Sequence, residues 1–264
     1  MSLSPEQLSA WLPAVMDIAD AAGREILRIY QAGFSVTLKH DRSPRTEADL
    51  AAQRVIDAGL RSLTPQWPML GEESLPEVFA QRRAWKTLWL VDPLDGTREF
   101  VKRNGEFTVN IALVVEHEPV LGVVSAPAQG LLFWGASGVG AFSHPRGGAQ
   151  VPIHVSEPHH PLRVVGSRSH AHAATAGYLA RLGPPVMRGI GSSLKFCLVA
   201  SGEADLYPRF GPTSEWDTAA GQAMLEAAGG HVTRLDGHRL RYNCRESVIN
   251  GDFLAYSHAG VLPG

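Results

Sequence analysis

Asp92-Pro93-Leu94-Asp95-Gly96-Thr97 sets two carboxylates three positions apart, directly after the apolar run from Thr87 to Val91. The Pro, Gly and Thr suit a tight turn followed by exposed backbone amides. Carboxylates are hard oxygen donors whose natural partner is Mg²⁺, and Gly96 and Thr97 can present N–H groups to a phosphate. Gly71-Glu72-Glu73-Ser74 follows Pro68-Met69-Leu70, so a second acidic pair sits at another strand end. Ser214 and Asp217, like Thr46 and Asp49, have the spacing of a helix capping box with Asp in place of Glu or Gln. A turn or a cap explains each acid separately. The set points further. If Glu72, Asp92, Asp95 and Asp217 converge, each pair costs about 3 kcal/mol at ~5 Å and an effective dielectric of ~20, on the order of 15 kcal/mol in all. Such a group must take up protons or bind cations, and two or three Mg²⁺ ions would neutralise it.

The elements that must hold these residues are legible from hydrophobic spacing. Ser4-Pro5-Glu6-Gln7 caps a first helix whose apolar stripe runs from Leu8 to Ile29, and Thr46 opens a second, carried by Ala52, Ile56 and Leu60. Ser35–Lys39 reads as a short strand and Thr87–Val91 as a buried one. Phe107–Val115 and Val120–Ala126 form a hairpin, and Gly130–Phe142 adds short strands with Gly turns. The Pro-, Gly- and His-rich stretch 143–161 predicts a boundary between an α+β half, 1–155, and an α/β half, 156–264. Beyond it a helix is expected over His170–Leu182, another from Gly191 to Ala200, a strand at Asp205–Pro208 and a helix over Trp216–Ala228.

Composition narrows the classes. The chain of 264 residues is 44% apolar and carries 24 Lys+Arg against 26 Asp+Glu. It can bury a large core, and it lacks the broad positive field that grips a nucleic-acid polymer. Two cysteines cannot staple a chain of this size, and no basic and apolar leader precedes the first helix. The expectation is a reduced, cytoplasmic protein with no membrane span, attachment at the inner face of the membrane being left open. There is no G-x-x-x-x-G-K-[ST] loop, no H-E-x-x-H and no G-x-S-x-G elbow. Gly135–Gly140 reads as a turn. The histidines at 154, 159, 160, 170 and 172 read as a solvated linker, because a zinc site there would lack cysteine partners.

Gly-Glu72-Glu-Ser, Asp92-Pro-Leu-Asp95-Gly-Thr97 and Trp216-Asp217-x-Ala-Ala-Gly, in that order, resemble the signature blocks of the inositol monophosphatase superfamily. Within it, Leu94–Leu113, Ser167–His170, Gly191–Ala200 and Leu206–Thr213 are most similar to the bacterial 3′(2′),5′-bisphosphate nucleotidases. Leu94, where many relatives have Ile, and Arg98, where Lys is common, are mild departures. The resemblance implies an α/β (α+β) fold, a layered α-β-α-β-α sandwich with the site between two halves, and a Mg²⁺-dependent, lithium-sensitive phosphatase. It implies metal ligation by Glu72, Asp92, Asp95, Asp217 and the Leu94 carbonyl, with Asp49 and Thr97 beside the attacking water. The same residues with Gly96 and Ser193 would meet substrate, the implied substrate being adenosine 3′,5′-bisphosphate, cleaved to AMP and phosphate. Lys195 and Arg209 are the candidates for its second phosphate, with ordinary surface cations as the alternative. A phosphatase of inositol monophosphate or a fructose bisphosphate shares the metal blocks, and a non-catalytic nucleotide sensor remains a third reading.

Overall fold

The computed structural model describes residues 3–38, 44–74, 79–145, 148–167 and 173–263. Helix α1 (Pro5–Ala32) starts at a reciprocal cap: Gln7 N donates to Ser4 Oγ and Ser4 N to Gln7 Oε1. Then follow β1 (Val36–Leu38), β2 (Pro44–Thr46), α2 (Glu47–Leu63), β3 (Met69–Gly71), α3 (Phe79–Arg82), β4 (Thr87–Asp95) and α4 (Thr97–Val101). Strands β5 (Thr108–Val115), β6 (Glu118–Ala126), β7 (Leu131–Ala136), β8 (Gly140–Pro145) and β9 (Val151–Ile153) complete a seven-stranded sheet that runs from β3 to β9 in chain order. Only the β3–β4 pair in it is parallel.

The rest of the chain alternates β10 (Arg163–Gly166), α5 (Ala173–Leu179), β11 (Val186–Gly189), α6 (Leu194–Ala200), β12 (Leu206–Arg209), β13 (Thr213–Ser214), α7 (Glu215–Ala227), β14 (His231–Arg234), β15 (Ile249–Asn250) and β16 (Phe253–Tyr256). A second sheet has the order β11-β10-β12-β16-β14, while β1 pairs with β2 and β13 with β15. The strand expected to stop at Val91 continues to Asp95, and the helix expected from His170 is α5. Lys39, His170 and His172 lie outside the described residues.

Strand alternation stacks the layers. Trp89 and Val91 of β4, with Ile111 and Leu113 of β5, face the buried stripes of α1 and α2. Leu88, Leu90, Ala112 and Val114 face the other way, onto α6, α7 and the inner side of the second sheet, including Phe196, Leu225, Tyr207 and Phe253. Leu179 of α5 closes the outer side against Val164, Leu206 and Leu254. The result is α1/α2, sheet, α6/α7, sheet, α5. Because both faces of the first sheet are covered at its centre, long runs of β4, β5 and β6 are apolar instead of alternating with polar positions. The first sheet ends at Ile153 and the second opens at Arg163, yet the apolar layer between them is a single core.

Helix α7 is seated by Gly122 of β6. A Cβ on Gly122 would lie 2.2 Å from the carbonyl oxygen of Ala220. That obstacle is backbone, which cannot rotate away. Gly122→Ala is therefore expected to destabilise the protein by about 1–3 kcal/mol or more, read as a lower urea midpoint. An unchanged midpoint would show that the helix is free to shift.

Candidate active site

Asp92 and Asp95 owe their common orientation to a bulge. In a regular strand, residues three apart face opposite sides. Here Asp92 pairs with Asn110 and Asp95 with Thr108, so β4 carries one residue more than β5 between the two pairs. The extra residue brings both carboxylates onto one cavity, while Leu94 stays buried in the α1/α2 core. Leu94 N donates to Asp92 Oδ1 at 3.0 Å. Gly96 then adopts φ +86°, a left-handed conformation that glycine enters without strain, and α4 begins at Thr97.

The cavity, about 330 Å³, lies past the end of β4, where α4, α6 and α7 start. Glu72, Asp92, Leu94, Asp95, Gly96, Thr97, Ser193, Lys195, Arg209 and Asp217 all line it. Of the residues singled out from sequence, only Asp49 stands back, 1% exposed behind Thr97. From the finer stretch Ser167–His170, Ser167 reaches the cavity, and 168–170 fall outside the described residues.

Asp49 and Asp217 each help to cap a helix through one carboxylate oxygen. Thr46 N and Thr46 Oγ1 both donate to Asp49 Oδ2 at 2.8 Å, while Asp49 Oδ1 lies 3.4 Å from Thr97 Oγ1. Thr97 Oγ1 is also 3.3 Å from the Leu94 carbonyl, so its single hydrogen serves one acceptor at a time. Ser214 N donates to Asp217 Oδ2 at 2.8 Å, which leaves the other oxygen for the cavity.

Asp95 is held by Ser193, already among the expected site residues, and by Ser192, which was not. Ser192 Oγ and Ser193 Oγ lie 2.8 and 3.0 Å from Asp95 Oδ2, and Ser193 Oγ also lies 2.8 Å from the Asp217 carbonyl. Behind them Asn110 Nδ2 donates to Ser193 Oγ at 2.9 Å, and Thr108 Oγ1 is 2.5 Å from Ser192 Oγ. The signal was present: Thr108 and Asn110 are polar residues, wholly buried, in an otherwise apolar strand.

At the other end of the cavity the charge reverses. Burial pulls Lys195 down to about 8, although Asp95 opposes the shift. Its ammonium donates to the carbonyls of Ser192 at 2.5 Å and Ile190 at 3.4 Å, and stands 5.3 Å from the centre of the Tyr207 ring. Arg209 gives Nη2 to the Pro212 carbonyl at 2.9 Å, and its Nε is buried without a hydrogen-bond acceptor among the described residues.

Electrostatics marks the acids as one group. Desolvation, then Glu72, Asp95 and Asp217, push the Asp92 carboxyl well above its ordinary range. Asp217 is raised as well, by desolvation and then by Asp95 and Glu72. Among the described residues no three His, Cys, Asp or Glu side chains form a finished metal cage. The donor set is nonetheless all oxygen, partly desolvated and strongly anionic, which fits Mg²⁺ and not a soft metal.

Comparison with known proteins agrees with this geometry. The family model described as "Inositol monophosphatase family" matches residues 7–261. A 3′(2′),5′-bisphosphate nucleotidase CysQ of Escherichia coli K12 is 50% identical over 244 residues, covering 92% of this chain and 98% of the relative. The crystal structure of CysQ from Bacteroides thetaiotaomicron superposes with a TM-score of 0.82 at 41% identity, over 92% of this chain and 96% of that one. A Thermotoga maritima inositol monophosphatase gives 0.77 at 26% identity, over 93% and 91%.

Raised carboxyl pKa values have a stability consequence. Without metal, folded Asp92 and Asp217 keep protons at a pH where the unfolded chain, with Asp near ~3.9, has lost them. The folded state binds more protons, so stability falls as pH rises above about 4. In chelator the melting midpoint is expected to drop between pH 5 and 8. Asp92→Asn should flatten that slope and raise the midpoint at pH 8 by about 2–5 °C. A wild-type midpoint that climbs over this range would contradict the assignment.

Proposed function

Because the chain belongs to the inositol monophosphatase family, whose members are metal-dependent phosphatases, we propose that it hydrolyses adenosine 3′,5′-bisphosphate to AMP and phosphate. The observation that carries this reading is the split charge of one cavity: acids at the β4 end, and Lys195 with the unpartnered Nε of Arg209 at the other. A substrate with a phosphate at each end matches that division. The free Cys197 and Cys244 fit the cytoplasm, and among the described residues no helix is long and apolar enough to cross a membrane.

Glu72, Asp92, Asp95, Asp217 and the Leu94 carbonyl would hold two or three Mg²⁺ ions. When bound, these supply positive charge to the phosphoryl oxygens and the leaving oxygen, and acidity to a coordinated water. The chain's own residues do the rest. Thr97 Oγ1, with its hydrogen directed to Asp49 Oδ1, accepts a hydrogen bond from the attacking water and sets its line of approach. As the water oxygen bonds to phosphorus and the bond to the ribose 3′ oxygen breaks, the water's proton passes through Thr97 to Asp49. Thr46 gives two hydrogen bonds to the other oxygen of Asp49, which holds the carboxylate turned toward Thr97. The amides of Gly96 and Thr97 steady the phosphoryl group, and Lys195 and Arg209 take the 5′ phosphate. Ser193 Oγ is engaged with Asp95 and the Asp217 carbonyl, so it positions those ligands.

The deciding experiment compares phosphate release from adenosine 3′,5′-bisphosphate, inositol 1-phosphate and fructose 1,6-bisphosphate, with Mg²⁺ and after exhaustive chelation. The nucleotide should be preferred and turnover should vanish with the metal. Preference for either sugar ester would replace this reading, and binding of the nucleotide without turnover would make the protein a sensor. Thr97→Ala is expected to lower kcat on the order of 10²-fold with KM nearly unchanged. A loss of melting midpoint with normal kcat would reduce Thr97 to a turn residue. Arg209→Ala should raise KM for the bisphosphate about 10- to 100-fold, as expected for a charged hydrogen bond, and leave 3′-AMP unaffected. Equal losses on both substrates would place Arg209 outside the second-phosphate site.

A further inference from the structure

Arg82 is 2% exposed and stands outside the cavity wall; its guanidinium lies 4.8 Å from the centre of the Phe79 ring and gives its hydrogen bonds to one distant segment. Nη1 donates to Asn243 Oδ1 at 2.7 Å, and Nη2 to the backbone carbonyls of Arg245 at 3.0 Å and of Glu246. Asn243 Nδ2 returns a bond to the Arg82 carbonyl at 2.7 Å. Asn243 itself is fully buried with φ +51°, a left-handed conformation that the surrounding contacts must hold.

The segment gathered by Arg82 forms a collar around the start of α7. Asn243 N donates to Glu215 Oε2 at 2.8 Å, and Glu215 N to the Val248 carbonyl at 2.8 Å. Asn250 Nδ2 reaches the Ser214 carbonyl and Thr218 Oγ1, both at 3.0 Å, while Thr213 and Ser214 pair with Asn250 and Ile249. Asp217 lies inside the stretch that these bonds grip. Arg82 also ends α3, which leads into β4 and its two acids. It therefore links the strand bearing Asp92 and Asp95 to the helix turn bearing Asp217, two parts of the chain with no direct backbone connection.

We infer that Arg82 is a positioning residue: by shaping the collar of residues 243–250 it fixes Asp217 relative to the acids of β4, and so sets the affinity of the cavity for divalent cations. The inference rests on the reading of Asp217 as a metal ligand. A guanidinium reaches three acceptors from a rigid planar fork, whereas a lysine offers its donors from a single point, so the geometry and not the charge is what Arg82 contributes.

The test is a titration of metal-stripped protein with Mn²⁺, free ion being read by electron paramagnetic resonance. Arg82→Lys keeps the charge and should weaken Mn²⁺ binding about 10-fold or more, as supporting contacts around ligands do. At saturating Mg²⁺ its kcat should stay within about 3-fold of wild type, with KM for the nucleotide unchanged. Leu12→Ala, which opens the remote α1 core, is the comparison for lost stability and should bind Mn²⁺ as wild type does. Should Arg82→Lys fail to fold, Asn243→Gly keeps the left-handed backbone, deletes both side-chain bonds to Arg82, and should show the same loss. Native Mn²⁺ affinity in the folded variant, or an equal loss in Leu12→Ala, overturns the inference. A wild-type protein that binds no Mn²⁺ overturns the metal reading itself, a result distinguishable from failure of the collar alone.

Discussion

Repulsion among Glu72, Asp92, Asp95 and Asp217 is the constraint around which the cavity wall is organised. Left to themselves, four acids of one sign would turn outward to water. Here Asp92, Asp95 and Asp217 are each tied to the frame by further contacts. A bulge turns Asp92 and Asp95 together, two serine hydroxyls hold Asp95, and a helix cap holds Asp217. The energy stored in that crowding makes a divalent cation welcome, since binding relieves repulsion as well as forming new bonds. Desolvation adds to it: buried carboxylates have surrendered much of the water that would otherwise compete with the ion.

The five-layer arrangement explains how such a group stays rigid. Helix α7 lies between the two sheets and touches both, so its first turn cannot move without disturbing the shared core. Acids from the first sheet and from α7 thus meet across a packed interface instead of a hinge. The cationic end draws on the second sheet through Arg209 of β12 and on α6 through Lys195, so the two ends of the cavity rest on different layers.

Much of this was legible in the chain. Hydrophobic period placed α1, α2, α6 and α7 within a few residues, because their buried stripes are uninterrupted. The acids were visible because carboxylates at element ends are conspicuous. The bulge was not: Asp92-Pro-Leu-Asp95 reads as a turn after a strand, and only the partner register reveals that the strand continues through it. Ser192 and Asn110 were passed over because their role depends on a contact between β5 and the loop before α6, more than eighty positions apart in the chain. Arg82 drew no attention, since nothing local foretells three acceptors contributed by residues 243–246.

The doubling of cap and site residue in Asp49 and Asp217 has a thermodynamic reach beyond geometry. A free aspartate samples several rotamers, and a ligand that needs one of them must oppose that freedom on every encounter. With Oδ2 locked into a helix start, the side chain loses its rotational entropy once, when the chain folds. The loss is charged to folding, and none remains to be charged to binding or turnover. Helix nucleation and the orientation of these carboxylates thereby become one event. A sequence drifting toward the usual capping-box partner, Glu or Gln in place of these aspartates, would keep its helices and lose this preorganisation.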